Sequence, residues 1–489
     1  MSDRIPDRRP GAPPEGRERQ PTSAAAAGAE SSDAAGGAEG VVPPAPADRP
    51  PVVLASALGL IALGALALAA PFVVLMTGAR PPALGFTWEL SAGLGFGALA
   101  LIVLQFALTG RLRWLTHPFG ADIVYLFHRY LSWVAVVLML GHFAILYIWH
   151  QPALGVLNPL EADWELTAGR LAMGCFLALV ISSQFRKQLR LEYDWWRRLH
   201  LALAIIGLAA AMAHVLGVGR FTADPGKRAL WLGVTLGWVL LLVWTRLGVP
   251  WLQASNPWRV VANRTERGGV HTLELAPEGQ PLKHWKPGQF AWLSIGRSPF
   301  ALKEHPFTIS TAPDRGPNLA FSIKALGDDT ERMIQTPVGA RAHVDGPYGA
   351  FSVDRTPDAP GFVMIAGGVG ITPILSNLHA LQDRHDPRPV ILIYANSAWE
   401  DVAFRDELAA MQKDLDLTVV HVLEDPPDDW QGESGYIDGE LLKRHLPPES
   451  RDWPHMICGP GPMTAAVTAG LHDLGVAERH IDNEVFDLV

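Results

Sequence analysis

Cysteine is nearly absent from this chain. Its 489 residues hold two, Cys175 and Cys458, one in each half. That excludes a disulfide framework and a cysteine-ligated metal cluster. A formal charge of −9 and a pI of about 6.0 exclude the basic footprint of a nucleic-acid binder. The first 50 residues contain no aromatic residue and are rich in Pro, Ala, Gly, Ser and Asp. Such a stretch cannot bury a core and is expected to be disordered. It is no secretory signal either, because the apolar run after it begins too late and continues too long.

Charge is the next scarcity, and it is local. Between about 52 and 250 the chain is a series of long apolar runs, whereas the remainder has an ordinary soluble composition. Six membrane spans are expected, at roughly 52–76, 88–109, 122–149, 166–185, 197–218 and 229–248, each long enough to cross. Turn residues separate them, among them Arg80-Pro81-Pro82, Asn158-Pro159 and Asp224-Pro225-Gly226. With the N-terminus inside, the inner loops hold Arg111, Arg113, Arg186, Lys187, Arg190, Arg197 and Arg198. The outer loops hold Arg80, Arg220, Lys227 and Arg228. This asymmetry places both termini and the soluble half in the cytoplasm, in a bacterial-type inner or plasma membrane.

Within that apolar half stand two matched pairs of histidines. His128 and His142 share one span, His200 and His214 another, and both gaps are 14 residues. On an α-helix this spacing is about 21 Å of rise, and the second side chain returns to within roughly 40° of the first. Each helix therefore offers two imidazoles on one face, one near each side of a bilayer about 30 Å thick. Ionisable groups inside a membrane are expensive and mark function. Both spans run from inside to outside, so depth pairs His128 with His200 and His142 with His214. Each pair suits a haem held by two axial imidazoles, which leaves no open coordination position and favours electron transfer. His117 and His150 fall at span edges, and Arg129 beside His128 reads equally as a snorkelling interfacial residue.

From about 254 short alternating strands follow: 258–261, 270–275, 289–295 and 318–323, separated by Gly and Pro turns, as in a small antiparallel barrel. After about 360 strands alternate with helices, the pattern of a parallel doubly wound sheet. The expected strands are 361–366, 389–394, 417–423 and 455–458, with helices from Thr372, over 401–415 and near 437–445. The Gly367-Gly368-Val369-Gly370-Ile371-Thr372-Pro373 turn ends one such strand and opens a helix. Glycines there let the backbone approach a phosphate, and the helix N-terminus favours its charge.

Glu304-His305-Pro306-Phe307-Thr308-Ile309-Ser310 resembles the flavin-binding signature of NADPH oxidases and ferric reductases, ferredoxin-reductase-type flavoproteins fused to a haem-bearing membrane bundle. Ile323-Lys324-Ala325 with Gly327 and Thr330, Val344 to Gly349, the Gly367–Pro373 turn, Cys458-Gly459-Pro460-Gly461 and the aromatic tail at Phe486 follow in that family's order. The resemblance covers about 52–489. It implies a six-helix transmembrane bundle, then an antiparallel FAD-binding β-barrel, then an α/β nucleotide-binding domain. The corresponding boundaries are 1–50 for the tail, 51–250 for the di-haem domain, 254–356 for the barrel and 357–489 for the NAD(P) domain.

The resemblance also implies site roles. Phe307 stacks on the flavin ring and Thr308 hydrogen-bonds it, with Pro306 and Ser310 in the same segment and His305 near the diphosphate. Lys324 and Thr330 supply diphosphate contacts. Gly367, Gly368, Gly370 and Thr372 bind the nicotinamide nucleotide, and Cys458, with Gly459 and Pro460, approaches the nicotinamide. Phe486 covers the flavin, although three residues follow it. The implied catalytic groups are Phe307, Thr308, Cys458 and Phe486, and the implied metal ligands are the four histidines.

The expected activity is electron transfer from cytosolic NAD(P)H through FAD and two b-type haems to an acceptor across the membrane. Oxygen, giving superoxide, is the first choice of acceptor and a ferric chelate the alternative. The loop 151–165 carries Glu161, Asp163 and Glu165 and no basic residue, so it attracts no anion, which weighs slightly against gathering superoxide and leaves neutral oxygen unaffected. Ala395-Asn396-Ser397-Ala398-Trp399-Glu400-Asp401 offers no cation for a 2′-phosphate before Arg405, which leans towards NADH or dual use. A haem-free, membrane-anchored flavin diaphorase serving a soluble partner is a second reading, and a non-catalytic redox-sensing or scaffolding bundle a third. Expected partners are membrane lipid and a small-molecule acceptor.

Overall fold

A computed structural model of the chain describes residues 51–77, 81–112, 121–301 and 303–484. The N-terminal tail, His117 and Phe486 lie outside these residues. Six long helices come first: α1 (Pro51–Met76), α2 (Phe86–Thr109), α3 (Ala121–Trp149), α4 (Trp164–Gln184), α5 (Tyr193–Val218) and α6 (Pro225–Val243). Local chemistry sets their ends. Gly219 stops α5 in a left-handed conformation, and the Asp224 carboxylate caps α6 by accepting from the Lys227 N–H at 3.1 Å. A π-helical turn, Trp244–Gly248, joins α6 to α7 (Val249–Ser255), so the rod runs on from Pro225 to Ser255.

Five of these helical stretches are long and apolar enough to cross a membrane: Phe86–Thr109, Val124–Trp149, Trp164–Gln184, Tyr193–Val218 and Pro225–Ser255. The sixth expected span, α1, is not among them. α1 itself is a continuous apolar helix of 26 residues. α2 packs along α3, and α4 along α5. α3 and α5 approach each other less closely, and the histidine pairs face across that seam. A core of Phe96, Leu99, Phe176, Leu208, Met212, Trp231 and Trp238 fills the bundle beside it.

Two residues after α7 the first sheet begins: β1 (Trp258–Thr265), β2 (Val270–Pro277), β3 (Phe290–Ile295), β4 (His305–Thr308), β5 (Leu319–Lys324) and, after the short α8 (Asp328–Ile334), β6 (Arg341–Tyr348). It is antiparallel in the order β4-β3-β6-β1-β2-β5. The sheet curls far enough for an isolated bridge, Ile309 with Phe321, to tie its two edges. It is a half-barrel around Val260, Leu273, Leu275, Leu293, Ile309 and Phe321.

The second sheet contains β7 (Phe362–Gly367), β8 (Val390–Asn396), β9 (Leu417–Leu423), β10 (Glu433–Ser434), β11 (His455–Cys458) and β12 (Ile481–Glu484). All its pairs are parallel, in the order β10-β9-β8-β7-β11-β12. β7 is buried along its whole length, as a sheet covered on both faces requires. The covering helices are α9 (Ile371–Asp383), α10 (Arg405–Met411), α11 (Gly439–His445) and α12 (Gly461–Asp473).

Candidate functional site

The histidine seam has two levels. At the first, the His128 and His200 ring centroids are 6.3 Å apart. Two imidazoles gripping one metal from opposite sides, with metal–nitrogen bonds of roughly 2 Å and ring centres about 1 Å behind each nitrogen, stand about 6 Å apart. At the second, His142 and His214 lie within electrostatic reach of each other. The rings there are held by their Nδ1 atoms. His142 Nδ1 is 2.8 Å from the Ser91 carbonyl and 2.9 Å from the Ser91 hydroxyl, and His214 Nδ1 is 2.8 Å from the Glu165 carbonyl. A backbone carbonyl on Nδ1 fixes the tautomer and leaves Nε2 for a metal. His200 Nδ1 has a longer contact of 3.3 Å to the Ser183 hydroxyl. These donor sets fit haem iron.

Glycines make the room. A Cβ on Gly95 would sit 3.2 Å from His142 Nδ1, and one on Gly169 only 2.8 Å from His214 Nδ1. Ser91, Gly95, Gly169 and Ser183 escape a reading of the sequence because their partners are 17 to 51 positions away, on other helices.

A cavity of about 420 Å³ opens beside the first level and runs to the half-barrel. Its lining includes His128, His200, Trp196 and Gln105 on the helix side and Trp292, Glu304 and Asp345 on the sheet side. Arg111, just past α2, bridges the two. Its guanidinium donates to Glu304 at 2.5 Å, lies 3.5 Å from Asp345 and stacks 3.9 Å over the Trp292 ring. Burial opposes the charge of Arg111, but Glu304 and Asp345 outweigh it and hold the guanidinium charged well beyond its ordinary range. Lys303 forms a second tie, pairing with Asp194 on the first turn of α5 and with Asp329 at 3.4 Å.

The segment after Glu304 is β4. Phe307 is half-buried opposite Ala291, and Pro306 lies opposite Trp292. Thr308 is buried, and its hydroxyl has no hydrogen-bond partner among the described residues. An orphaned hydroxyl beside a half-exposed aromatic ring suits the polar edge and flat face of a flavin. His305 Nε2 stands 3.5 Å from Asp329, and its imidazole pKa is lowered by burial against the pull of Asp329. Ser310 points the other way, into a buried hydroxyl chain with Ser322 and Thr272 at 3.0 Å steps. Lys324 ends β5, half-buried. Thr330 spends its hydroxyl closing the turn before α8, accepting from Leu326 and Gly327 N–H at 3.0 Å each.

At the second sheet the glycine turn and the Cys458 segment meet. Any Cβ on Gly367 would press on Met463 and Pro460, and one on Gly459 would lie 3.1 Å from Gly367 N. Gly370 is equally closed in, by the Cys458 carbonyl. Gly368 alone in this turn has a positive φ, 54°, with nothing within 4 Å of its Cβ position, so it presents open backbone. Thr372 is buried and donates to the Val369 carbonyl at 3.1 Å. Cys458 is fully buried, and burial, assisted by Glu484, pushes its thiol pKa well up. Pro460 directly precedes α12. α9 carries Ser376, Asn377 and His379 against the half-barrel, bonding Thr311 O, Phe351 O and Ser310 O.

At the ends of β8 and β9, Arg405 stacks 4.3 Å over Trp399, which stands 5.0 Å from Trp430 and 5.1 Å from His421. Buried Asn396 Nδ2 and His421 Nδ1 there have no partner among the described residues.

Three family profiles match this chain. "Ferric reductase like transmembrane component" covers residues 94–211, which include all four histidines. "FAD-binding domain" covers 270–352 and "Oxidoreductase NAD-binding domain" covers 364–469. Among curated relatives, NADH-cytochrome b5 reductase 1 of Aspergillus terreus is 33% identical over 171 residues, 33% of this chain and 57% of that protein. NADH--cytochrome b5 reductase 1 of Arabidopsis thaliana is 35% identical over 164 residues, 32% of this chain and 57% of that protein. The chain thus spans little more than half the length of these relatives. Among solved structures, the cytochrome b5 reductase domain of Ulva prolifera nitrate reductase aligns with a TM-score of 0.43 and 21% identity, over 47% of this chain and 98% of that domain.

Proposed function

We propose that this chain, which has the ferric reductase / NADPH oxidase architecture, draws electrons from NAD(P)H on one side of a membrane and delivers them to an acceptor on the other. It is an oxidoreductase that joins a ferric-reductase-like membrane domain to an FAD/NAD(P) module of the cytochrome b5 reductase type. Its resident groups in this reading are FAD and two b-type haems, which when bound convert hydride chemistry into single-electron transfer. The observation that carries the reading is the pair of facing histidine levels on α3 and α5.

The chain's own residues do the rest. His128 with His200, and His142 with His214, grip the haems, and Ser91 and the Glu165 carbonyl fix the ring orientation at the second level. Phe307 and Thr308 orient the flavin. Gly368 and the first turn of α9 receive the nucleotide phosphates, while Cys458 and the close-packed glycines keep water from the nicotinamide end. Basic residues in the loops of the His128–His200 end favour the cytoplasm for that end and for the soluble half. Oxygen is the favoured acceptor, because the acidic loop from Glu161 to Glu165 opposes an anionic ferric chelate and leaves a neutral molecule alone. NADH is the favoured donor. The relatives are named for it, Glu400 and Asp401 would repel a 2′-phosphate, and Arg405 is stacked on Trp399.

The test is optical. Purified protein should show reduced b-type bands, diminished in His142→Ala and in His200→Ala. A flavin-only spectrum in the unaltered protein would leave a membrane-anchored diaphorase instead. Superoxide formation measured against ferric-chelate reduction, with superoxide dismutase present to stop secondary reduction, distinguishes the acceptors.

A further inference from the structure

The cavity at the first histidine level contains polar groups that the protein leaves unsatisfied. Gln105 is 8% exposed, and neither its Oε1 nor its Nε2 has a hydrogen-bond partner among the described residues. The buried indole Nε1 of Trp196 has none, although the Trp196 ring lies 5.1 Å from the His200 ring. Both line this cavity. Gln105 is one turn from the end of α2 and Trp196 is on the first turn of α5, so the two sit at the same end of the bundle. A buried polar side chain left without a partner is costly, and such a group in a native structure calls for one. Two such groups on one wall mark a ligand that carries its own polar atoms to that place.

The charge of the wall narrows the ligand. Arg111 is taken up by Glu304 and Asp345. Arg246, presented by the π-helical turn, lines the same cavity and brings a positive charge. An indole N–H and an amide N–H beside a guanidinium form a donor set for a carboxylate. We infer that Gln105, Trp196 and Arg246 receive the carboxylate edge of the porphyrin gripped by His128 and His200, and so fix its rotation about the axis between the histidines. This rests on the haem reading above. It adds an anchor to that site which no histidine spacing contains.

The experiment compares haem with its dimethyl ester, in which both carboxylates are blocked. Full-length protein bearing His142→Ala, which leaves the first level as the remaining two-histidine site, is made in haem-deficient cells and titrated with each. The free acid should bind at least about tenfold more tightly than the ester, a difference of about 1.4 kcal/mol. Adding Gln105→Leu and Trp196→Phe should remove that preference by weakening the acid alone, and Arg246→Met should do so more than Arg246→Lys. Flavin content reports whether each variant has folded. Equal binding of acid and ester by protein that retains Gln105, Trp196 and Arg246 overturns the inference, whatever the variants do. Absence of haem bands from the unaltered protein would instead overturn the haem reading itself.

Discussion

Gly169 is the residue whose replacement tells most. An alanine there would place a methyl 2.8 Å from His214 Nδ1, where the ring is also bonded to the Glu165 carbonyl. One of the two must yield. If the two-haem proposal holds, Gly169→Ala is therefore expected to lose haem at the second level and keep it at the first, halving the haem measured per chain. Gly95→Ala, with 3.2 Å to His142, should be milder. His455 gives a prediction of another kind. It is fully buried, donates from Nδ1 to the Trp453 carbonyl over 2.8 Å, and burial holds its pKa down to about 4. An unfolded histidine titrates near 6.5, so above that pH the residue adds no pH dependence. As pH falls from about 6.5 towards 4 the unfolded chain takes the proton first, and stability drops by up to roughly 3 kcal/mol. Thermal melts of the flavoprotein half between pH 7.5 and 5 should show this, with a flatter profile in His455→Phe.

At the scale of elements, what was legible followed from periodicity. The four histidines could be paired before any coordinates because a helix converts a spacing of 14 into a shared face. The parallel strands 361–366, 389–394, 417–423 and 455–458 were readable as apolar runs bounded by turns, and the structure has them at nearly those limits. β10 and β12 had no such signature: one is two residues long and the other, Ile-Asp-Asn-Glu, is mostly polar, each paired at an edge. Spacing made Arg405 the first cation after β8, too late in the segment to favour a 2′-phosphate; what spacing does not contain is that it stacks on Trp399 and donates to the Trp399 carbonyl at 3.4 Å. NADH should accordingly be preferred over NADPH by about tenfold or more in kcat/KM, equivalent to at least 1.4 kcal/mol. Glu400→Ser with Asp401→Ser should narrow that ratio by improving NADPH, leaving NADH nearly as it was.

For the whole molecule the decisive contact is Arg111. It joins the end of α2 to Glu304, the residue that leads into β4, and to Asp345 on β6, which the Tyr348 hydroxyl also bonds at 3.0 Å. Removing Arg111 leaves part-buried Glu304 and buried Asp345 without their shared cation. Arg111→Ala should loosen the half-barrel from the bundle. Reduction of ferricyanide by NADH at the flavin is expected to persist, while haem reduction in the same sample, followed by stopped flow, slows at least about tenfold, the equivalent of 1.4 kcal/mol. Equal rates of haem reduction would show that the contact is dispensable. None of this was visible in sequence, because Arg111 and Glu304 are 193 residues apart.

The unbroken rod from Pro225 to Ser255 has a mechanical consequence. Asn256 and Pro257 are all that separate it from β1, a tether of about 7 Å at full extension. A flavin module on so short a leash cannot swing out to load and return to unload, as a shuttling carrier does. Donor and recipient are kept at one separation, like components soldered to a board. Turnover should then be indifferent to solvent viscosity and to dilution of the enzyme, except where NADH or the final acceptor must diffuse in.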